Sequence, residues 1–170
     1  LYPEGERYAA AKVRVLQPVD ESIGTQGMIG GQMADLEAEE ISAPTEDLVE
    51  TIHENKTGRL MRASLAAGAI LAFGSDSDLH RLDLYGRKIG LAFQIKDDLL
   101  DVESDSATLG KKSGKDAAAG KATFPVVWGV ERSHRVLAQT IEEAVETARG
   151  LPGGGGRLPD LARFIGERKS

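Results

Sequence analysis

The sequence contains no cysteine among its 170 residues, which excludes a disulfide framework, a thiolate metal site and a cysteine nucleophile. Aromatic residues make up only 5% of the chain, and no apolar run approaches the roughly 18 residues that a membrane-spanning helix requires. Positive charge is also scarce, because 21 Lys and Arg residues stand against 27 Asp and Glu residues and leave a formal net charge of −6. We therefore expect a soluble, cytoplasmic protein that has no stable membrane insertion and does not bind nucleic acid, which would require a basic surface.

The sequence has almost no β-strand signal, because alternating β-branched runs are absent while Ala, Leu, Glu, Lys and Arg dominate. The pattern predicts an all-α domain. The predicted helices cover about residues 8–16, 23–39, 45–73, 78–102, 125–149 and 159–168. Thr45 is expected to cap the third helix, Gly74 to follow its end, Pro125 to lie in the first turn of the fifth, and Gly129 to interrupt that fifth helix. The first helix is expected to end near Pro18, and a loop to span about residues 104–123.

Four glycines fall within the second predicted helix, where they reduce helix stability. They are Gly24, Gly27, Gly30 and Gly31. Close approach between helices explains them better than a hinge does.

The segment FQIKDDLLDVE, residues 93–103, places three aspartates in an otherwise apolar helix. With about 100° between successive residues, Asp97, Asp98 and Asp101 lie on one arc together with Gln94. Apolar side chains occupy most of the remaining circumference, as in a buried helix. The arc is either a solvated acidic stripe or a site for a hard divalent cation. The apolar surroundings and the mutual repulsion of three carboxylates favour Mg²⁺, which commonly combines one or two carboxylates with substrate phosphates.

Lysines in two other segments could hold a phosphate bound to such a metal ion. Lys56 lies in HENKTGRL, and Lys112 and Lys121 lie in LGKKSGKDAAAGKATFP, which lacks the spacing of a phosphate-binding P-loop. Each segment alone is typical of solvated surface, as is the helical pair Gln32 and Asp35 in GGQMADLEAE. The combination of these segments with the aspartate arc favours a metal–phosphate site.

Together these segments resemble the trans-isoprenyl diphosphate synthases of the polyprenyl synthetase family, in particular the bacterial farnesyl and geranylgeranyl diphosphate synthases. The matching motifs, in the family's order and spacing, are GMIGGQMADLEAE, HENKTGRLMRASL, IGLAFQIKDDLLDVESDSATLGKKSGKD and GKATFPVVWGVERS. The resemblance implies an isoprenoid synthase-type helical bundle around a central cavity, usually a homodimer, of which residues 1–170 form the C-terminal portion of a single domain. It also implies a prenyltransferase that uses Mg²⁺ to ionise an allylic diphosphate and joins the carbocation to isopentenyl diphosphate.

The resemblance also implies roles for individual residues. Three carboxylates match the family's second aspartate-rich motif and are expected to bind Mg²⁺: Asp97, the expected direct ligand, Asp98 and Asp101. Three lysines are expected to bind diphosphate: Lys56, Lys112 and Lys121. Four side chains are expected to act in catalysis: Lys56, Thr57, Gln94 and Asp97. Four further positions are expected to line the cavity: Gln32, Asp35, Phe93 and Asp116.

The chain departs from the family pattern in its N-terminal half. The family's first aspartate-rich motif, the arginines that follow it and the basic site for isopentenyl diphosphate have no counterpart, and the chain begins with Leu1 rather than Met. The motifs present correspond to roughly the C-terminal half to three-fifths of a synthase. We therefore expect a fragment of an enzyme that has little or no activity by itself. A naturally short, non-catalytic regulatory or binding subunit of a prenyl synthase is the alternative, and a structural helical bundle with surface acids is a third interpretation.

Overall fold

The computed structural model describes residues 5–109, the last five as backbone only, and 121–169. Within these ranges the protein has α-helices and no β-strand, which confirms the predicted all-α class. The helices are α1 (Glu6–Ile23), α2 (Met28–Ala38), α3 (Glu46–His53), α4 (Arg59–Leu71), α5 (Asp76–Leu109), α6 (Phe124–Trp128), α7 (Val130–Arg149) and α8 (Leu158–Glu167). A π turn, Glu54–Gly58, joins α3 to α4, and a 3₁₀ turn, Pro152–Gly155, precedes α8. Lys112 and Asp116 lie outside the described residues.

The central helix is α5, which packs against α4, α7 and α8. Its core side chains recur every three or four positions and so form one apolar face: Tyr85, Ile89, Ala92, Ile95 and Leu99. They meet apolar side chains from α3, α6, α7 and α8, among them Val49, Ile52, Phe124, Leu137, Ala144, Ala162 and Ile165. The hydroxyl of the buried Tyr85 donates to the carbonyl oxygen of Leu158 at 2.7 Å, and burial raises the pKa of Tyr85 to about 12. The polar residues of α5 are thus held on a helix whose other face is fixed in the core.

Local capping signals account for several helix boundaries. Thr45 accepts a hydrogen bond from the backbone N–H three residues on, at 3.2 Å, and α3 begins after it, as predicted. Ser75 and Asp78 exchange side-chain to backbone hydrogen bonds of 3.1 and 3.0 Å, so that a capping box starts α5 two residues earlier than predicted. Pro125 lies in the first turn of α6, and Gly129, with φ of 79°, separates α6 from α7, as predicted.

Two boundaries in the N-terminal segment differ from the prediction. The first helix does not end near Pro18: α1 continues through it, and the packing of α1 against α4, which buries Ala11 and Ser22, offsets the missing N–H of the proline. The second helix does not begin at residue 23, because residues 24–27 form a turn. A Cβ on Gly27 would lie 2.1 Å from the carbonyl oxygen of Ser22, so this turn is too tight for any other residue.

Two further helix boundaries differ from the prediction, and the local sequence indicates neither difference. The left-handed position after α4 is taken by Phe73, with φ of 57°, and not by Gly74. The ring of Phe73 packs edge-on against Tyr8, with 5.0 Å between centroids, and under the guanidinium of Arg7, and these contacts offset the backbone strain. The loop predicted from residue 104 begins later, because α5 continues to Leu109. Within the described ranges, the chain forms no helix with the length and hydropathy needed to cross a membrane.

Candidate active site

A cleft of about 180 Å³ lies where α2, the π turn, α5 and the segment before α6 meet. Seven of the side chains singled out from the sequence line it: Asp35, Lys56, Gln94, Asp97, Asp98, Asp101 and Lys121. Four other residues complete the lining: Glu39, His53, Ala122 and Thr123. Residues from four distant segments of the sequence therefore share one predominantly polar cleft.

The π turn carries Lys56 into this cleft. The Nζ of Lys56 donates to Oδ2 of Asp35 on α2 at 2.7 Å. A Cβ on Gly31 would lie 2.3 Å from the backbone nitrogen of Lys56, so only glycine allows α2 to approach the turn this closely. On the opposite side, a Cβ on Gly90 of α5 would lie 3.1 Å from Cα of Gly58. The close helix approach predicted from the glycines is thus confirmed at Gly31, and it fixes a type of turn that often occurs at functional sites.

An ion-pair network behind the cleft ties the π turn to α4 and α5. Arg62 donates to Glu54 of the turn and, at 2.6 Å, to Oδ1 of Asp83. Burial acts to lower the pKa of Arg62, but the hydrogen bonds to Asp83 and Glu54 outweigh it and the pKa is raised. Burial likewise acts to raise the pKa of Asp83, and hydrogen bonds from Arg62 and Arg87 outweigh it and lower the pKa. Both shifts favour the charged forms, so the network holds the turn at neutral pH.

The first aspartate of the segment FQIKDDLLDVE, Asp97, is paired with a residue near residue 170. Oδ1 of Asp97 accepts a hydrogen bond from Nη2 of Arg168, which follows α8. The same guanidinium donates to the carbonyl oxygen of Phe93 at 3.1 Å and stacks over its ring, 4.2 Å from the centroid. The side chain of Arg168 is 13% exposed and that of Asp97 is 47% exposed, so Asp97 is held at the edge of the cleft and remains accessible.

The other two aspartates of this segment, Asp98 and Asp101, lie in contrasting environments. The side chain of Asp101 is 72% exposed, with Oδ2 3.7 Å from Nζ of Lys121. Asp98 is buried, and its Oδ2 accepts the backbone N–H of Phe124 at 2.9 Å. Nε2 of the buried His53 lies 3.4 Å from the same oxygen, and its ring packs against that of Phe124 with 5.1 Å between centroids. Neighbouring carboxylates on one helix therefore differ in what they can bind.

The carboxylates are spread around the cleft and do not converge on one point. In the part of the chain that the structure describes, no group of three or more His, Asp or Glu side chains is arranged to hold a metal ion. Mg²⁺ does not require such a group, because it keeps several waters and is commonly bound by one or two carboxylates together with substrate phosphates. The accessible carboxylates of Asp97 and Asp101 fit that role, and Lys56 and Lys121 add two positive charges to the same cleft.

Three of the side chains expected to act in catalysis or to line the cavity do not line this cleft. Thr57 lies in the π turn beside Lys56, Gln32 is exposed on α2, and Phe93 lies beneath the guanidinium of Arg168. Two residues with clear contacts to the site were not identified from the sequence. His53 begins the same motif as Lys56, HENKTGRL, so its position in that motif is a sequence signal that could have identified it. Arg168 is 71 residues from Asp97 and has no such signal.

Comparison with known proteins adds a family and a fold. A family model described as polyprenyl synthetase matches residues 6–150. Geranylgeranyl diphosphate synthase of Cyanophora paradoxa is 44% identical to this chain over 134 residues, which cover 79% of the chain and 45% of that protein. The chain thus spans about half the length of the curated relatives it matches.

Solved structures show the same arrangement of helices. An FPP/GFPP synthase from Zymomonas mobilis superimposes with a TM-score of 0.79 at 31% identity, covering 92% of this chain and 51% of that one. A geranyltransferase from Helicobacter pylori, solved in complex with magnesium and isoprenyl diphosphate, superimposes with a TM-score of 0.73 at 26% identity, again over 92% of this chain and 51% of that one. These structures confirm that the helices belong to the isoprenyl diphosphate synthase fold.

Proposed function

The chain belongs to the polyprenyl synthetase family, and we propose that its cleft binds the Mg²⁺-complexed diphosphate of an allylic substrate in a trans-prenyltransferase of the farnesyl or geranylgeranyl diphosphate synthase type. In this reaction the allylic C–O bond breaks and diphosphate leaves with the electron pair. The double bond of isopentenyl diphosphate then attacks the allylic carbocation, and loss of a proton restores a double bond.

The convergence of two lysines and two accessible aspartates on one cleft carries this proposal. Negative charge accumulates on diphosphate as the C–O bond breaks, and fixed cations that meet this charge lower the barrier. Lys56 and Lys121 both line the cleft, and in this proposal they meet that charge. Mg²⁺, when bound, would supply Lewis-acid neutralisation of the same group, with Asp97 and Asp101 as its protein ligands.

Both lysines of the cleft form ion pairs with aspartates that a bound diphosphate would replace. Lys56 is bonded to Asp35 at 2.7 Å, and Lys121 lies 3.7 Å from Asp101. A diphosphate competes for both ammonium groups because it carries more negative charge than a carboxylate. Its arrival would leave Asp101 available to the accompanying cation. Binding of the metal and of the diphosphate should therefore be cooperative.

Exposed apolar side chains support the proposal of a homodimer. They lie on the outer faces of α1 and α2 and include Val13, Leu16, Ile29, Met33 and Leu36. Apolar side chains grouped on adjacent helices are typical of association surfaces.

We further propose that the 170-residue chain alone binds diphosphate but does not elongate a prenyl chain, since it has a counterpart for only one of the family's two aspartate-rich motifs. Robust product from Mg²⁺, geranyl diphosphate and isopentenyl diphosphate would contradict this.

Isothermal calorimetry with Mg²⁺ and inorganic diphosphate tests the binding step. We expect saturable heat that disappears with EDTA, and a loss of about tenfold or more in affinity for Asp97→Asn and for Lys56→Gln, because each removes a charged partner. Matched controls are Asp160→Asn on α8 and Lys88→Gln on α5, whose charged groups pair with Arg163 and Glu143 away from the cleft. Unchanged affinity in Asp97→Asn would contradict the proposed site.

A further inference from the structure

Asp98 differs from Asp97 and Asp101 because one of its oxygens already accepts a buried backbone N–H and also lies close to a histidine ring. Oδ2 accepts the N–H of Phe124 at 2.9 Å and lies 3.4 Å from Nε2 of His53. The side chain of Asp98 is only 10% exposed. Phe124 is the first residue of α6, so its N–H has no acceptor within the helix and depends on this carboxylate.

The three residues of this contact belong to three of the four segments that line the cleft. His53 ends α3 and immediately precedes the π turn that contains Lys56. Asp98 follows Asp97 on α5, and Phe124 follows Lys121 by three residues. One carboxylate oxygen therefore lies where the segments that position Lys56, Asp97 and Lys121 meet.

We propose that Asp98 and His53 are positioning residues, and that the Mg²⁺ ligands on α5 are Asp97 and Asp101 alone. This inference rests on the proposed function and refines the ligand set within it. Oδ2 of Asp98 is committed to the buried N–H of Phe124, and the side chain is only 10% exposed, whereas the side chains of Asp97 and Asp101 are 47% and 72% exposed and are open to a hydrated cation. The ring of His53 packs on Phe124 and covers the contact on the α3 side. In this proposal Asp97 and Asp101 bind the ligand, whereas Asp98 holds segments of the protein in place.

Substitutions that separate the charge of Asp98 from its oxygen test the proposal. Asp98→Asn retains an acceptor for the N–H of Phe124 but removes the charge that a metal ligand needs, whereas Asp98→Ala removes both. Asp97→Asn is the comparison at the proposed ligand. Two measurements are made on the whole chain: the hydrogen-exchange rate of the Phe124 amide by NMR, without added ligand, and the affinity for Mg²⁺ with inorganic diphosphate by calorimetry.

We expect Asp98→Asn to keep slow exchange at Phe124 and an affinity within about threefold of wild type, and Asp98→Ala to lose about tenfold or more in both, the effect of one charge-assisted hydrogen bond. Asp97→Asn should weaken binding and leave exchange at Phe124 unchanged. If Asp98→Asn weakens binding as much as Asp97→Asn does, Asp98 is a metal ligand and the proposal is overturned.

His53 supplies a second test that does not depend on the folding of Asp98→Ala. His53→Gln keeps a polar group that can reach Asp98 and should retain the protection of Phe124, whereas His53→Leu should lose it. Equal exchange rates in the two variants would overturn the role of His53. The two levels of the proposal fail differently: no binding of Mg²⁺ and diphosphate by the wild type overturns the proposed function, whereas rapid exchange at Phe124 in the wild type overturns the positioning contact.

Discussion

Replacing Gly31 with alanine would strain the contact between α2 and the π turn. The added Cβ would lie 2.3 Å from the backbone nitrogen of Lys56 and 2.8 Å from the carbonyl carbon of Asn55, whereas non-bonded atoms prefer about 3.5–4.0 Å. Backbone atoms cannot rotate away, so the two elements must separate by about 1 Å or more to relieve the overlap. Overpacking of this kind costs about 1–3 kcal/mol, and the better helix propensity of alanine returns at most about 1 kcal/mol.

We expect Gly31→Ala to lower the free energy of unfolding by about 2 kcal/mol, or the melting temperature by about 4–8 °C, because backbone obstruction places the cost at the upper end of the range. Urea denaturation followed by circular dichroism measures it. Gly68→Ala on α4 is the matched control: its Cβ would meet no atom within 4 Å, so the loss of chain entropy in the unfolded state should stabilise it by about 0.4–1 kcal/mol. If Gly31→Ala proves as stable as Gly68→Ala, the close contact is wrong.

Substitutions at three further sites test the fold around the cleft. Burial raises the pKa of Tyr85 to about 12, above the roughly 10 of an unfolded tyrosine, so the stability that this residue contributes is fully present below about pH 10 and is lost as the pH rises toward 12. Urea titrations across this range should show a smaller loss of unfolding free energy in Tyr85→Phe than in the wild type. Thr45→Ala should cost about 1 kcal/mol by thermal unfolding, and Thr45→Ser should recover most of it. Arg168→Met keeps an aliphatic side chain over the ring of Phe93 but loses the hydrogen bonds of the guanidinium. We expect the free energy of unfolding to fall by about 1–2 kcal/mol, and the loss to persist at high salt because the ion pair is partly buried. An unchanged free energy of unfolding would contradict the contact with Asp97.

The sequence was informative where the signal is local. Helical periodicity alone placed Gln94, Asp97, Asp98 and Asp101 on one arc, and all four line the cleft. The cap at Thr45 was also predictable, because an N-cap depends on a side chain and a backbone group three residues apart. The residue types of these segments decide their conformation with little help from the rest of the fold.

Contacts between distant segments could not be predicted in this way. Nothing near Pro18 indicates that α4 will hold α1 together across it, and nothing in ENKTG distinguishes a π turn from a regular helix. The pairing of Arg168 with Asp97 depends on the position of α8 in the folded protein. Periodicity also assigned equal status to Asp97 and Asp98, which differ because Phe124 and His53 meet Asp98 whereas Arg168 meets Asp97.

The π turn at Glu54–Gly58 makes this part of the chain sensitive to length as well as to composition. A π turn contains one residue more than a regular helical turn, so deletion of a single residue there could be absorbed as a continuous α-helix without breaking α3 or α4. The deletion would nevertheless remove the wide turn that carries Lys56 and move this residue away from Asp35. A loop of the same size would accept such a deletion with little consequence. An ordinary-looking helical segment should thus be among the places where gaps are least tolerated when related sequences diverge.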